Sequence, residues 1–349
     1  MDIQTKKVQV KNHEWQEYTL SNDKGMKVSI LDFGGIITEI QAPDQEGNFE
    51  NVVLAFKNYE DYLENPGFLG ALTGRVAGRI ENAQFDVEGV TYNLTKNEGN
   101  HHLHGGNEGF HNALWNVEPF QKADEVGLTL TYSSPDGHNG YPGKLDMEVI
   151  YSLNNKNELS ITYEGESDKK TVLTATNHSY FNLSGNLKSD VLEHVITLDS
   201  SKFVELDDEL IPTGEIIDVE GTTFDFRNGR PIKDGKLSDY KQNLVANHGY
   251  DHYFIFDHSK PESITVRDNN SGRELVVSTE QPGFVMYTAN NLGEGMALKE
   301  GTSKKYLGVC LETQASPASI HHEGFPSVWL DKGERYSKKT TFSFNTFNN

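Results

Sequence analysis

Short runs of alternating apolar and polar residues recur along the chain, separated by clusters of Gly, Asn and Asp. Side chains of a strand point alternately to opposite faces of a sheet, so this pattern predicts β-strands. Residues 58–63 give the clearest pattern of a short helical turn. The predicted strands span residues 26–31, 36–42, 52–56, 85–90, 128–132, 145–153, 158–163, 264–267, 274–278 and 340–347.

Two pairs of these strands are joined by segments that predict hairpin turns. Residues 154–157 read Asn-Asn-Lys-Asn, and residues 268–272 read Asp-Asn-Asn-Ser-Gly. Asn and Gly tolerate the left-handed backbone conformation that tight turns require. Hairpins imply antiparallel sheet, and no periodic helix is long enough to connect parallel strands. The chain is therefore predicted to be all-β, a large antiparallel β-sandwich with few short helices, in a single domain over residues 1–349.

Composition narrows the classes of function. The chain has 349 residues, of which 35% are hydrophobic and 24% charged, and its formal net charge is −21. Such an acidic chain is a poor partner for nucleic acid, whose phosphates recruit Lys and Arg, and it disfavours anionic substrates such as sugar phosphates. A neutral small-molecule substrate fits this composition better.

The cysteine content and the first residues bear on location. Cys310 is the single cysteine, so no intrachain disulfide is possible, and its place between Val309 and Leu311 is typical of a packing residue rather than a nucleophile. Residues 1–7 lack the apolar run of a signal peptide, and no segment approaches the length of a membrane span. We expect a cytoplasmic protein without membrane contact, as a monomer or homodimer.

Residues 174–183, Thr-Ala-Thr-Asn-His-Ser-Tyr-Phe-Asn-Leu, have the pattern of a strand with an unusually polar face. Alternation places Thr176, His178, Tyr180 and Asn182 on that face, and Phe181 on the other. Such a row of polar groups can bind a hydrated ligand. A solvated sheet face, or a core histidine that has a hydrogen-bonding partner, also explains the pattern, and this stretch alone favours such a structural interpretation.

Residues 306–317 contain a second polar face. Leu307, Val309 and Leu311 form a stripe that we predict to face the core, so Glu312 and Gln314 point the other way. Small neighbouring residues leave room for a ligand above the sheet, and a half-enclosed carboxylate there suits a general base. A solvated outer face explains the same pattern equally well.

Several histidines need a separate interpretation. His102 and His104 with Glu108 are similar to the His-x-His…Glu metal pattern of cupin barrels, but the chain is about twice as long as such a barrel requires, and we expect no metal. The pairs His321–His322 and His248–His252 are more typical of solvated loop histidines than of ligands.

Five short motifs, taken in order, resemble the galactose mutarotase (aldose 1-epimerase) family. The likeness covers nearly the whole chain and extends toward the N-terminus through Gly34-Gly35 and Ala42-Pro43-Asp44. Each motif is short, but their common order and spacing is specific. The motifs are Gly74-Arg75 with Arg79, Leu103-His104-Gly105-Gly106, residues 176–183, Tyr250-Asp251-His252 and Leu311-Glu312-Thr313-Gln314.

This resemblance implies a β-sandwich with a sugar groove and an isomerase that interconverts the α and β anomers of a free aldohexose, such as galactose or glucose. It implies Glu312 as general base and His178 as general acid. Arg79, His104 and Asp251 fall on the substrate-binding positions of the family. No cofactor is expected, since ring opening needs one proton removed from the C1 hydroxyl and another delivered to the ring oxygen, and ring closure reverses both transfers. We expect the carboxylate and the imidazolium on opposite sides of the sugar ring.

Alternatives remain at this stage. The chain has Gly78 where many members carry Asn, and Val285-Met286 where some carry a Gln-aromatic pair, which bears on sugar preference more than on reaction type. A sugar-phosphate epimerase would need a cationic cluster around the groove. A glycosidase could use Asp251 and Glu312 as its carboxylate pair. A non-catalytic sugar-binding module would need a polar face but no acid beside a base.

Overall fold

Strands dominate the computed structural model, which describes residues 1–258 and 263–347. Within these residues the largest sheet has nine antiparallel strands, and its centre is formed by the predicted hairpin strands and the C-terminal strand. In spatial order its strands are Asn116–Gln121, Glu125–Ser134, Leu145–Asn154, Glu158–Ser167, Arg335–Thr346, Arg273–Thr279, Ile264–Asp268, Val195–Leu198 and Arg230–Pro231.

Two further antiparallel sheets lie in the described part of the chain. The six-stranded sheet consists, in spatial order, of Tyr180–Phe181, Val309–Gln314, Gly283–Tyr287, Asp251–Ile255, Lys202–Leu206 and Pro212–Asp218. The five-stranded sheet consists of Asp2–Val10, His13–Ser21, Lys27–Leu31, Ile37–Pro43 and Phe49–Asn51.

The remaining elements of residues 1–258 and 263–347 are short. None of their helices has the length and apolar character that a membrane crossing requires. Two-stranded sheets pair Leu72–Thr73 with Thr176–Asn177, Arg79–Ile80 with His102–Leu103, Gln84–Val87 with Val90–Asn93, Thr171–Val172 with Trp329–Leu330, and Ala297–Leu298 with Gly301–Thr302. The α-helices are Lys233–Lys236 and Lys241–Val245, and the 3₁₀ helices are Tyr59–Leu63, Glu81–Ala83, Phe110–Asn112, His138–Gly140 and Pro317–Ile320.

The main core joins the inner faces of the three large sheets. Because side chains alternate along each strand, only every second residue of the six-stranded sheet enters this core, and the others point to its opposite face. Apolar side chains from all three sheets form one contiguous cluster. Its members include Phe203, Phe254, Phe284, Met286, Val309 and Leu311 from the six-stranded sheet, Leu128, Tyr151, Ile161, Val277 and Phe342 from the nine-stranded sheet, and Leu20, Val28 and Ile40 from the five-stranded sheet.

The predicted all-β antiparallel architecture with few short helices is confirmed, and so are both hairpins. The prediction of a strand over residues 52–56 is wrong. The strand lies at Phe49–Asn51, and residues 53 and 56 form only isolated bridges. The prediction that Leu307 shares the stripe of Val309 and Leu311 is also wrong, because Leu307 packs in a second apolar cluster.

The polar stretch over residues 174–183 differs from one continuous strand. It forms two short strands, Thr176–Asn177 and Tyr180–Phe181. Between them the Asn177 side-chain oxygen accepts hydrogen bonds from the backbone N–H and the hydroxyl of Ser179, a local bond that competes with sheet pairing. His178 lies in this interruption, between a strand that pairs with Leu72–Thr73 and a strand that pairs with Val309–Gln314.

Candidate active site

A cavity of about 490 Å³ lies on the face of the six-stranded sheet that points away from the core. Its floor is formed by every second residue of four neighbouring strands. These are the residues whose side chains point away from the core. The loops around residues 66–79 and 98–104 close its sides. Floor residues include Tyr180, Glu312, Gln314, Val285, Tyr287, Asp251 and Tyr253.

Glu312 and His178 face each other within this cavity. The His178 Nε2 atom lies 3.4 Å from the Glu312 Oε1 atom, and their side chains are only 5% and 3% exposed. Glu312 is placed by the strand Val309–Gln314, whose neighbouring residues Val309 and Leu311 anchor it in the core. A carboxyl and an imidazole held this close can exchange protons with one small ligand.

Burial shifts the titration of both groups away from charge. It lowers the pKa of His178 to about 4 and, together with the nearby Asp251 carboxyl, raises the pKa of Glu312 well above its usual value, while Arg79 opposes that rise. Each shift disfavours the ionised form of its group. The site therefore favours a neutral imidazole beside a neutral carboxyl over the corresponding ion pair.

The surroundings of His178 fix its ring. The backbone of His178 bonds to Ala71 O and Gly70 N, and its Nδ1 atom lies 3.6 Å from the Cys310 thiol. Its ring centroid is 5.1 Å from that of Tyr180. Backbone bonds on one side and aromatic and thiol contacts on the other direct Nε2 toward Glu312.

His104 is a hydrogen-bond donor toward the cavity. Its Nδ1 atom accepts the backbone N–H of Gly78 at 3.1 Å, so Nε2 carries the proton of the neutral ring. Burial and the neighbouring His178 and Arg79 lower the pKa of His104 well below its usual value. The ring stands edge-on to His178, with 5.2 Å between centroids.

His104, His178 and Glu312 also bring three possible ligand atoms within 4.8 Å of one another. A metal-bound histidine normally donates its second ring N–H to an acceptor, which leaves the other nitrogen free for the metal. At His104 the reverse holds, because the Gly78 N–H occupies the lone pair of Nδ1. This donor set therefore does not fit a metal ion.

Arg79, Glu98 and Asp251 form a charged cluster in the cavity, which we call the polar clamp. Arg79 donates to both carboxylate oxygens of Glu98 at 2.7 and 3.0 Å, and its Nη1 atom lies 3.7 Å from Asp251 Oδ2. Burial alone would lower the pKa of Arg79, but Asp251 and Glu98 outweigh burial and raise it. Burial raises the pKa of Asp251, with a further rise from Glu98 and an opposing contribution from Arg79. Such charged groups bind sugar hydroxyls strongly.

The structure brings all five candidate residues from the sequence into this one cavity, which Arg79, His104, His178, Asp251 and Glu312 line. The expectation that the carboxylate and imidazole lie on opposite sides of a sugar ring is wrong. At 3.4 Å they are too close for a ring to lie between them. Sequence reasoning missed Glu98, since a single carboxylate in a turn gives no signal before its contact with Arg79 is known.

The two departures from the family pattern have different structural consequences. Gly78 has φ +84°, and a Cβ there would lie 3.1 Å from Pro317 and 3.3 Å from Gln314, so an Asn would be strained and crowded. Val285 lines the cavity, whereas Met286 points into the core. Of the Val285-Met286 pair, only Val285 can contact a sugar.

The other histidines lie elsewhere. His102 bonds to Tyr141 and Thr95, and Glu108 bonds to His138, so the cupin-like set does not converge. The prediction of a solvated His252 is wrong, because this residue is fully buried and its Nε2 atom bonds to Gln242. The prediction holds for His248 and His321, which are exposed, and His322 is partly buried.

The fold and the site together define a β-sandwich isomerase with a carboxyl–imidazole pair in a cavity of about 490 Å³. The family model for aldose 1-epimerase matches residues 16–343, and the chain belongs to this family. It is 38% identical to galactose mutarotase of Bos taurus over 332 residues, which is 94% of each chain, and 35% identical to aldose 1-epimerase of Haemophilus influenzae over 95% and 96% of the two chains. The crystal structure of galactose 1-epimerase from Lactobacillus acidophilus matches with a TM-score of 0.89 and 30% identity over 100% of both chains.

Proposed function

We propose that this protein interconverts the α and β anomers of a free aldohexose, with Glu312 as general base and His178 as general acid. The observation that carries the proposal is the 3.4 Å approach of His178 Nε2 to Glu312 Oε1 inside a cavity that Arg79, His104 and Asp251 also line. The C1 hydroxyl and the ring oxygen of a pyranose are both bonded to C1. Two proton-exchanging groups on one edge of the ring can therefore serve both oxygens.

The proposed reaction needs only proton transfers and one bond change in each direction. Glu312 takes the proton of the C1 hydroxyl, the bond between C1 and the ring oxygen breaks, and the ring oxygen takes the proton of His178. C1 becomes an aldehyde carbon, and rotation about the C1–C2 bond exposes its other face. Ring closure reverses both transfers and yields the other anomer. His104 Nε2–H is placed to donate a hydrogen bond to a substrate oxygen.

Burial of the pair supports this cycle. Ring opening converts a carboxylate and an imidazolium into a neutral carboxyl and a neutral imidazole, which is the state that burial favours. While the sugar is in its open-chain form, Glu312 and His178 are therefore both uncharged. Both states carry one proton on the pair, and the proton can move between the two groups across the 3.4 Å gap.

A neutral aldose suits the cavity better than a sugar phosphate. Among the described residues that line the cavity, Arg79 is the sole Lys or Arg side chain, and Glu98 and Asp251 already neutralise it. A phosphate group would meet these two carboxylates without a free cation to balance it.

Substitution of Arg79 tests its proposed role in substrate binding. We expect Arg79→Lys to raise the KM for D-galactose about tenfold with a smaller change in kcat, because lysine cannot hold Glu98 through two parallel hydrogen bonds and present Nη1 to the substrate. Steady-state polarimetry measures both constants. Arg227→Lys is the matched control, since Arg227 holds Asp225 in the same two-bond geometry outside the cavity. An unchanged KM in Arg79→Lys contradicts the assignment.

The pH dependence of kcat/KM follows from the shared proton. Glu312 and His178 are active as a pair while they share one proton. We therefore expect kcat/KM to decrease when the pH is lowered below about 4, because His178 then binds a proton while Glu312 still carries one. Because burial raises the pKa of Glu312, the pair loses that single proton at a higher pH than an ordinary carboxyl would. If kcat/KM instead begins to fall near pH 6.5 as the pH is lowered, His178 titrates like an exposed histidine, and the prediction is contradicted. Circular dichroism at each pH separates inactivation from unfolding.

Polarimetry of freshly dissolved α-D-galactose and α-D-glucose tests the function itself. The proposal predicts faster decay of optical rotation toward the same endpoint as without protein, and the ratio of the two rates gives the sugar preference. Cleavage of a nitrophenyl glycoside would instead support a glycosidase that uses Asp251 and Glu312. Sugar binding without faster decay would support a non-catalytic binding protein.

A further inference from the structure

Leu210 has a backbone conformation that leucine normally avoids. Its φ angle is +61°, in the left-handed region where a Cβ crowds the backbone, and bulky side chains are rarely found there. The residue lies in the turn 207–211, which connects the strands Lys202–Leu206 and Pro212–Asp218 at the edge of the six-stranded sheet.

The hydrogen bonds of the turn impose this conformation whatever the side chain at position 210. The Asp207 Oδ1 atom accepts the backbone N–H groups of Glu209 and Ile211 at 2.9 and 3.0 Å. The Asp207 backbone N–H donates to Ile211 O, and the Leu210 N–H donates to Asp207 O. Glycine would fit position 210 without strain. The leucine side chain is thus present against the local preference of the backbone.

The turn also approaches the opposite side of the cavity. The Glu209 Oε2 atom lies 3.6 Å from the His101 Nε2 atom. The other ring nitrogen of His101 accepts the Asn82 backbone N–H at 3.1 Å, which orients the ring. The backbone of His101 forms an isolated β-bridge with the backbone of Glu98, the residue whose carboxylate binds Arg79. The turn therefore lies near the residues that carry the polar clamp.

The Leu210 side chain lines the cavity beside Leu206 and Pro212. These three residues come from the edge of the sheet farthest from Tyr180–Phe181, whereas Glu312 lies on the strand next to Tyr180–Phe181. Asp251 lies on a strand between the two ends. The cavity thus has a proton-exchanging end, a polar clamp in the middle and an apolar end.

We propose that Leu210 is a substrate-binding residue that packs against the apolar C–H surface of the aldose at the end remote from C1. This inference rests on the proposed function of the cavity. An apolar side chain at this end excludes water from the clamp of Arg79, Glu98 and Asp251, which strengthens the hydrogen bonds of the clamp to sugar hydroxyls. The backbone strain at Leu210 is then the cost of a side chain that acts in binding.

Two substitutions separate binding from structure. Leu210→Gly removes the side chain and the strain, and we expect the KM for D-galactose to rise about tenfold with kcat nearly unchanged, while the thermal midpoint rises. Leu210→Ala removes the side chain but keeps a Cβ in the left-handed conformation. It should raise KM similarly without the gain in thermal midpoint. Leu187→Gly is the control, since Leu187 also has a positive φ, of 54°, and lies outside the cavity; its KM should equal that of the unmodified protein.

The kinetic results distinguish this inference from the function on which it rests. Absence of anomer exchange in the unmodified protein overturns the proposed function and this inference with it. An active unmodified protein together with an unchanged KM in both Leu210 variants overturns the role of Leu210 alone. A large loss of kcat with unchanged KM in Leu210→Gly also contradicts it, because a binding residue remote from C1 should not affect the proton transfers.

Discussion

Glu312→Gln is expected to lose nearly all anomer exchange while keeping the fold. Glutamine has almost the same shape but cannot take a proton from the C1 hydroxyl, and a positioned general base contributes typically about 10²–10⁴-fold to rate. The side chain is 3% exposed, and burial raises the pKa of its carboxyl, so the amide removes a group whose charge the site disfavours. We therefore expect the thermal midpoint to be unchanged or higher. Polarimetry measures the rate and circular dichroism the fold.

Glu300→Gln provides the matched control for this variant. Glu300 is a partly buried carboxyl whose pKa is also raised by burial, but it bonds to Asn51 and lies outside the cavity. Its replacement should leave the rate of anomer exchange unchanged. A Glu312→Gln variant that exchanges anomers at the rate of the unmodified protein would remove Glu312 from the mechanism.

His178→Asn is expected to lose activity to a comparable extent. The ring oxygen must gain a proton as its bond to C1 breaks, and asparagine has no group that can deliver one. His104 cannot replace His178, because the lone pair of its Nδ1 atom accepts the Gly78 N–H, so the ring has no free nitrogen on which to gain the proton that it would have to deliver. We expect the loss to appear mainly in kcat, since the substitution does not change the polar clamp of Arg79, Glu98 and Asp251.

A histidine outside the cavity controls for nonspecific effects of this substitution. His138 is partly buried and bonds to Ser134 and Glu108, and its replacement by asparagine should leave kcat unchanged. A loss below about tenfold in His178→Asn would show that another group supplies the proton.

The strand pattern was enough to predict the fold class and both polar faces of the site. Alternation placed Glu312 on the face of the strand that does not carry Val309 and Leu311, because side chains of a strand alternate between its two faces. The same reasoning placed His178 and Tyr180 on one face, and both line the cavity although the strand breaks at Ser179. That the two faces meet followed from the family resemblance rather than from the pattern.

Contacts between residues far apart in the sequence could not be predicted from the strand pattern alone. The contact of Glu98 with Arg79, the burial of His252 against Gln242 and the adjacency of His178 and Glu312 all join residues that no local period relates. The Leu210 conformation was hidden for a related reason, since only the hydrogen bonds of its turn reveal that glycine would be preferred there.

The central claim is that Glu312 and His178 act as one proton-exchanging pair. A double-mutant cycle tests it most directly, with polarimetric rates for D-galactose measured on the unmodified protein, Glu312→Gln, His178→Asn and the double variant. Groups that act as a unit give non-additive losses. We predict that the double variant is no slower than the slower single variant. Losses that multiply in the double variant would show that the two residues act independently and would contradict the account.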